Sequence, residues 1–301
     1  MPTQLVTGDA AVRAVLADPS YLVPPAPAVP DSETGTLGWL RASVPRFCNG
    51  PAHARRRAQA ERDIAGLDPA RLGQAAFAAT TAELSSAGTR LAGFRVGQIP
   101  QAGPEQFDAM VLARRIPVAV LAAELGFTAT AEAARIVTAV IAVAAGYPNP
   151  DLARGDTDAS VAFLLQALGS ADPQESANKI GLLVQTCDAT AGLIGNALAR
   201  ALGTGAEDRN AGDAVEQTLR ADPPVLRTRR VSPAGDVVAV DISEFPFGTG
   251  SRPCPGADLA QALAAGVVEA ISALCDLADT EIDYPGSENL RVPARLLVAR
   301  R

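Results

Sequence analysis

Apolar residues recur every three or four positions along most of this chain, which predicts a mainly α-helical protein. Proline, glycine and acidic residues interrupt the pattern where helices typically start or end. Asp9 is predicted to cap the first helix, which ends before Asp18-Pro19. One predicted helix starts at 51. The others cover 9–16, 69–86, 104–125 (with a break or kink at Pro117), 130–145, 157–168, 173–202, 212–220 and 257–277. The helix over 173–202 is the longest, about 45 Å at 1.5 Å per residue.

A few short stretches of alternating or β-branched residues predict a small amount of β-structure. These strands are 225–231, 236–242 and a final pair near 290–298. The chain shows no internal repeat and no low-complexity tail. The overall pattern predicts a mainly α-helical fold with small β-sheets.

Composition narrows the class of protein. The chain has 301 residues, of which 48% are hydrophobic, so it can bury a sizeable core. A net charge of −7 makes nucleic acid an unexpected partner. The four cysteines lack CxxC spacing, which argues against a zinc site and favours a reducing compartment. No secretory signal pattern is present, and apolar runs such as 136–145 are too short to span a bilayer. We therefore expect a cytoplasmic protein that is not bound to a membrane.

The loop over residues 247–256 carries the most specific chemical signal. Cys254 lies directly before an apolar, alanine-rich predicted helix, whose backbone N–H groups can stabilise a thiolate. Two prolines flank the cysteine and restrict the backbone, while the glycines of the loop let it approach a flat, bulky group. A thiolate ligand to haem iron fits these features. A buried structural cysteine would leave the glycines and Arg252 unexplained.

This loop resembles the cysteine-ligand loop of the cytochromes P450, written F-G-x-G-x-[HR]-x-C-x-G. All six specified positions match: Phe247, Gly248, Gly250, Arg252, Cys254 and Gly256. The resemblance covers nearly the whole chain and implies a compact cytochrome P450-like fold, with residues 1–301 forming a single haem-thiolate domain. It implies haem b as the cofactor, Cys254 as the axial iron ligand, and Phe247, Gly248 and Gly256 as part of the haem-binding loop.

A second segment, 50–57, supports the same interpretation. It resembles the P-P-x-H-x-x-x-R segment of the family, whose histidine and arginine bind a haem propionate. Here they are His53, the single histidine of the chain, and Arg57, four residues later on the same helix face. The resemblance implies Arg252 as a second propionate partner. Arg230 lies where a further such arginine is usual, and a charge at a strand edge explains it equally well.

The long predicted helix departs from the family pattern at its centre. Where the family has A-G-x-[DE]-T-T, residues 185–190 read Q-T-C-D-A-T. Asp188 keeps the acid of this pattern. The bulkier Gln185 and Thr186 replace the small pair that the family has beside the iron, and Ala189 replaces the threonine that relays protons in the family. The next threonine is turned about 100° away along the helix. The candidate groups for proton delivery, besides water or the substrate, are Asp188, Gln185, Thr186 and Thr190.

The family's E-x-x-R pair is also altered, because Gln217 stands where the glutamate is expected before Arg220. Glu216 lies one turn from Arg220 and is predicted to form a substitute ion pair. The chain is also shorter than the resemblance implies. Two deletions, between 145 and 173 and between 230 and 245, predict an open or oligomer-completed substrate pocket and a thin protein layer beneath the haem.

Three functions are compatible with these features. The first is a haem-thiolate enzyme that oxidises a small, secondary-metabolic molecule with dioxygen and a ferredoxin-type donor, with peroxide, or that catalyses a redox-neutral rearrangement or dehydration. The second is a catalytically retired helper that binds and activates a partner enzyme. The third is a haem sensor or carrier, which would need a second axial ligand such as Cys187 or Gln185. The abundant arginine and alanine suggest a bacterial source.

Overall fold

The computed structural model describes residues 3–86, 106–127, 130–153, 155–170, 172–203 and 210–301. Within them the helices are α1 Asp9–Ala17, α2 Leu37–Ser43, α3 Gly50–Ala65, α4 Pro69–Ser86, α5 Ala109–Glu124, α6 Ala133–Gly146, α7 Thr157–Leu168, α8 Pro173–Gly203, α9 Ala211–Ala221 and α10 Ala257–Leu274. The strands are β1 Gln4–Val6, β2 Gln106–Asp108, β3 Arg227–Val231, β4 Val237–Asp241, β5 Cys275–Leu277 and β6 Leu297–Arg300. The described part of the chain is thus mainly helical, as its sequence predicts.

The strands form two small three-stranded sheets. In the first, β4 lies between β1, which is parallel to it, and β3, which is antiparallel. In the second, β6 lies between β2 and β5 and is antiparallel to both. Each sheet joins residues far apart in the sequence, so neither could be assembled from local pattern alone.

Helix α8 runs through the centre of the main hydrophobic core, where it packs against α5, α6, α9 and α10. Helix α10 packs most extensively on α4. Gly266 allows that close approach, because a Cβ built on it would lie 2.1 Å from the carbonyl oxygen of Gly73. A smaller core cluster, which includes Val12, Leu16 and Val240, holds α1 against the first sheet.

Most of the predicted helices are confirmed. Helix α7 has the predicted bounds, and α4, α8 and α9 agree within one residue at each end. The predicted cap of α4 is also present, since the Asp68 carboxylate accepts a hydrogen bond of 2.9 Å from the Ala70 backbone N–H. By contrast, the cap of α1 is Gly8, and Asp9 is its first helical residue. Asp9 still contributes a negative charge at the positive end of the helix dipole.

Several other features predicted from sequence differ in the structure. The helix predicted over 104–125 begins at 109, because residues 106–108 pair with β6 as a strand; positions 104 and 105 lie outside the described residues. That helix continues through Pro117 without a break, held by packing against α8. The last helix ends at 274, since 275–277 form β5, and only one strand, β6, forms near the predicted C-terminal pair.

Helix α10 passes a length and composition test for a membrane-crossing helix, with a mean hydropathy of 1.4 over 18 residues. It is the one helix within the described ranges that does so. The sequence analysis, which found every apolar run too short, therefore missed it. Its contacts with α4, α8 and α9 give it the environment of a helix in a protein core.

The substitute ion pair in α9 is present, but it lies on the surface. Arg220 donates to Glu216, and the two side chains are 73% and 58% exposed. A pair this exposed contributes little to stability because water and salt screen it. We expect Glu216→Ala to lower the free energy of unfolding by no more than about 0.5 kcal/mol. Urea unfolding measures this, and a loss of several kcal/mol would contradict the structural interpretation.

Candidate functional site

The cysteine loop forms a closed turn directly before α10. The Gly248 N–H donates to the Phe245 carbonyl oxygen and the Cys254 N–H donates to that of Phe247, both at 2.7 Å. Gly248 and Gly250 have φ values of +73°, a conformation that favours glycine. A Cβ built on Gly250 would also lie 2.4 Å from the backbone oxygen of Leu16, so only glycine fits where the loop crosses the end of α1.

Cys254 is exposed at the end of this loop, two residues before the cap of α10. The protein around its sulfur raises the pKa of the thiol. Three groups act in the opposite direction and lower that pKa: a hydrogen bond from the Gly256 backbone, and the charges of Arg57 and Arg46. The structure therefore places an N–H donor and two cations where a thiolate would need them, and a metal ion would supply the remaining positive charge.

The predicted propionate ligands converge on the same region. The charges of Arg252 and Arg57 both lower the pKa of His53, although burial lowers it more. Arg57 donates to Glu61 on the next turn at 2.6 Å. Arg252 donates to the Cys48 carbonyl oxygen at 3.0 Å and to the Asn49 side-chain oxygen at 2.9 Å. These contacts bring the N-terminal half of α3 against the cysteine loop, about 200 residues away in sequence.

Arg230 is buried, with 8% of its surface exposed. Its guanidinium donates to the Thr228 hydroxyl at 3.1 Å and to the Arg229 carbonyl oxygen at 2.9 Å. Within the described residues, no carboxylate forms an ion pair with it. Burial lowers its pKa to about 10, and the charges of Arg252 and Arg46 add to this effect. Arg230 is therefore not a strand-edge charge in water, and a buried cation with no anionic partner among the described residues is costly.

Arg46 is a member of this cationic group that the sequence analysis missed. Its charge lowers the pKa of Cys254, Arg230 and Arg41, so it lies among them. It belongs to a short 3-10 helix, Pro45–Phe47, outside any recognisable motif. Nothing in its local sequence marks it, and only the folded chain brings it to the site.

The centre of α8 contains the candidate groups for proton delivery. The Gln185 amide donates to the Gly181 carbonyl oxygen at 3.0 Å, and the Thr186 hydroxyl donates to that of Leu182 at 2.9 Å. Both side chains are half-buried and bonded within their own helix. Thr190 is buried, with 2% of its surface exposed, so it does not reach open space.

Asp188 and Cys187 have different environments in the same turn. The Asp188 carboxylate lies 3.7 Å from the Arg114 guanidinium of α5. Cys187 is 1% exposed, and burial, with a smaller contribution from Asp188, raises the pKa of its thiol to about 12. A thiol with that pKa remains protonated at neutral pH. This argues against Cys187 as a second axial thiolate ligand.

The described residues fit a haem with its thiolate ligand. An exposed cysteine faces outward from a loop whose glycine positions allow close approach. Around it lie three cationic or potentially cationic groups, Arg230, Arg252 and His53, that form no ion pair with a carboxylate among the described residues. Two propionates are the anions such a group would hold, with Arg57 alongside.

Comparison with known proteins identifies the fold. No protein-family model matches the sequence, and no curated protein matches it either. Solved structures match along nearly the entire chain. P450BioI in complex with an acyl carrier protein ligated with hexadec-9Z-enoic acid has a TM-score of 0.75 and 17% identity, over 99% of this chain and 92% of that one.

Two further similar structures agree with the first. The cytochrome P450 CREJ in complex with (4-ethylphenyl) dihydrogen phosphate has a TM-score of 0.72 and 15% identity, over 99% and 91% of the two chains. The myxobacterial cytochrome P450 CYP267B1 in complex with myristic acid has a TM-score of 0.70 and 18% identity, over 99% and 90%. With its cysteine loop at the start of α10 and its long central helix, this 301-residue chain has the cytochrome P450 fold in a shortened form.

Proposed function

We propose that the protein is a haem-thiolate enzyme that oxidises a small organic molecule. Cys254 binds the iron of haem b, the N–H of Gly256 stabilises the thiolate, and Arg230 and Arg252 hold the propionates together with His53 and Arg57. The observation that carries the proposal is Cys254 at the start of α10, facing a group of arginines that includes the buried, unpaired Arg230. When bound, the haem supplies the chemistry for oxygen transfer from dioxygen or peroxide.

The proton-delivering groups differ from those that the family resemblance implies. Ala189 has no hydroxyl, Thr190 is buried, and Asp188 is held by Arg114. Thr186 is the remaining hydroxyl at this turn, and its side chain is only half-buried. The chain's own residues therefore offer a weak route for protons. This favours peroxide, which already carries both the oxygen atoms and the protons, or a redox-neutral rearrangement or dehydration.

The surface behind the ligand also bears on the source of electrons. An open cleft of about 270 Å³ lies between α3 and α10 and reaches Pro255, next to the ligand. Its lining includes the carboxylates of Glu61 and Asp258. Arg57 pairs with Glu61, so Asp258 is the lining carboxylate that no ion pair among the described residues neutralises, and its charge disfavours an acidic ferredoxin-type donor.

The test of this proposal is uptake of haem. Hemin added to the purified protein is expected to bind in a ratio of about one to one. The reduced protein with carbon monoxide is then expected to show the absorption band of a thiolate-ligated haem. Peroxide and a reduced ferredoxin system are compared as oxidant sources with a panel of small organic substrates. A protein that binds no added hemin, and so remains colourless, would contradict the proposal.

A helper protein that binds a partner enzyme is the second candidate. Two observations favour it, the alanine at position 189 and the exposed position of Arg220, where the family resemblance implies a buried ion pair. A helper without haem would gain nothing from Arg230, whose burial costs free energy. Haem content separates the two functions. For either, we propose a bacterial, cytoplasmic protein of secondary metabolism.

A further inference from the structure

A second group of side chains lies beside the proposed haem site and is not needed to hold the cofactor. We call it the arginine–aromatic cluster; it consists of Arg41, Arg46, Phe47 and Tyr147. The guanidinium carbons of Arg41 and Arg46 lie 4.1 and 5.7 Å from the centroid of the Phe47 ring. The rings of Phe47 and Tyr147 meet edge to face at 5.1 Å. Two cations thus share one aromatic ring.

The two arginines have no acidic partner. Within the described residues, no carboxylate forms an ion pair with either of them. Arg41 is half-buried and donates to the backbone oxygen of Tyr147, which carries no full charge. Burial lowers the pKa of Arg41, and the nearby charge of Arg46 lowers it further. Two like charges held together without an anion between them cost free energy, and an anionic ligand would remove that cost.

Tyr147 adds a hydrogen-bond donor to the same cluster. It is 3% exposed, and its buried hydroxyl has no hydrogen-bond partner in the part of the chain that the structure describes. Burial raises the pKa of the hydroxyl well above its ordinary value, so the group stays protonated and can donate. A buried hydroxyl without a partner costs about 1–3 kcal/mol, which a ligand oxygen would recover.

The position of the cluster connects it to the reacting end of the site. The charge of Arg46, which packs on Phe47 within the cluster, also acts on Cys254, so the cluster lies near the proposed iron ligand. On the other side, a Cβ built on Gly181 would lie 3.7 Å from the Tyr147 hydroxyl. Gly181 also accepts the hydrogen bond from Gln185, one turn further along α8. The cluster therefore adjoins the turn of α8 that contains Gly181 and Gln185.

We propose that the substrate carries an anionic group, a carboxylate or a phosphate monoester, which binds to Arg41, Arg46 and the Tyr147 hydroxyl. Its apolar part then lies along α8 near the half-buried side chains of Leu182 and Ala189. This inference rests on the proposed haem enzyme and specifies its substrate class. The charges support it, because Arg230 and Arg252 suffice for two propionates and leave the cluster arginines without an anion.

The test is a spectral titration of the haem-loaded protein, in which a bound substrate perturbs the haem absorption. The probes are a medium-chain carboxylic acid, its methyl ester, and a phosphate monoester with the same apolar part. Hydrogen bonds to charged groups contribute about 1.5–3 kcal/mol, so the wild type should bind the acid or the phosphate about 10- to 100-fold more tightly than the ester. The two anionic probes distinguish carboxylate from phosphate.

Three variants make the test specific. Arg41→Gln is expected to lose at least about tenfold in affinity for the anion and to leave the ester unchanged. Tyr147→Phe removes only an unbonded hydroxyl, so it should fold normally and lose about three- to tenfold in affinity. Arg135→Gln is the matched control, because Arg135 also stacks on a phenylalanine, at 3.8 Å from Phe163, but has Glu132 as a partner. It should bind like the wild type.

Each outcome decides the proposal. Equal affinity for acid and ester would overturn it, and so would an Arg41→Gln protein that folds but no longer binds haem, since Arg41 would then be a propionate ligand. If the wild type takes up no hemin, the proposed enzyme fails instead. In that case the carboxylic acid should still raise the melting temperature of the wild type, but not that of Arg41→Gln. An equal effect of the acid on both proteins would overturn the anion site as well.

Discussion

Replacing Cys254 by alanine is expected to abolish the thiolate-type absorption of the reduced, carbon monoxide-bound protein, and catalytic activity with it. Alanine has no side-chain atom that can bind iron, so the loop would offer no iron ligand at this position. The loss should be essentially complete, because an axial ligand determines the electronic state of the haem iron. The measurement is the absorption spectrum after hemin loading, reduction and addition of carbon monoxide.

The folding of this variant can be checked separately. Cys254 is exposed and lies outside the hydrophobic core, so the substitution should change the free energy of unfolding by no more than about 0.5 kcal/mol. Cys48→Ala is the matched control, since Cys48 is also a free, partly accessible cysteine near Arg252. Its sulfur donates to the backbone oxygens of Val44 and Pro45. A thiolate spectrum that survives in Cys254→Ala and disappears in Cys48→Ala would show that the ligand is misassigned.

Replacing Arg230 by methionine is expected to have opposite effects on the haem-free and haem-bound protein. Without haem, the substitution removes a buried charge that pairs with no carboxylate among the described residues. The lowering of its pKa to about 10, well below the ordinary value of an arginine, corresponds to a cost on the order of 3 kcal/mol, so the haem-free variant should be more stable by up to that amount. With haem, the variant loses a propionate ligand, and its affinity should fall by about 10- to 100-fold.

The pH dependence of haem-free stability gives a further check on Arg230. Its folded-state pKa, about 10, lies below the ordinary value of an arginine, so the unfolded chain binds more protons in the pH window that begins at about 10. The destabilisation is therefore fully present below about pH 10 and decreases as the pH rises through that window. The difference in unfolding free energy between wild type and Arg230→Met should shrink accordingly.

Arg229→Met is the matched control, because Arg229 is the exposed neighbour of Arg230 in the same strand. It should change neither haem affinity nor haem-free stability by more than about 0.5 kcal/mol. Urea unfolding and hemin titration measure both quantities. A haem-free Arg230→Met protein that is less stable than the wild type, with normal haem affinity, would mean that Arg230 has a structural role only.

Local sequence determined much of the helical framework. Helix α7 and the bounds of α4, α8 and α9 follow from apolar periodicity and from punctuating residues such as Asp68 and Pro69. Boundaries failed where a non-local partner decided the structure. Residues 275–277 continue an apolar helical pattern, yet they become a strand because β6 pairs with them. Pro117 suggested a break, but packing of α5 against α8 keeps the helix continuous.

For the functional site, the sequence alone determined the chemistry of individual residues: the cysteine loop with its glycines, and the His53 and Arg57 pair on one helix face. Those signals are local, because spacing along a turn or helix sets them. Only the tertiary structure decided which charges lack partners. Within the described ranges, it buried Arg230 without a carboxylate partner, placed Arg46 near the site, and left the Tyr147 hydroxyl without a hydrogen bond near Arg41. Burial and charge pairing depend on segments far apart in the chain, so a sequence pattern cannot reveal them.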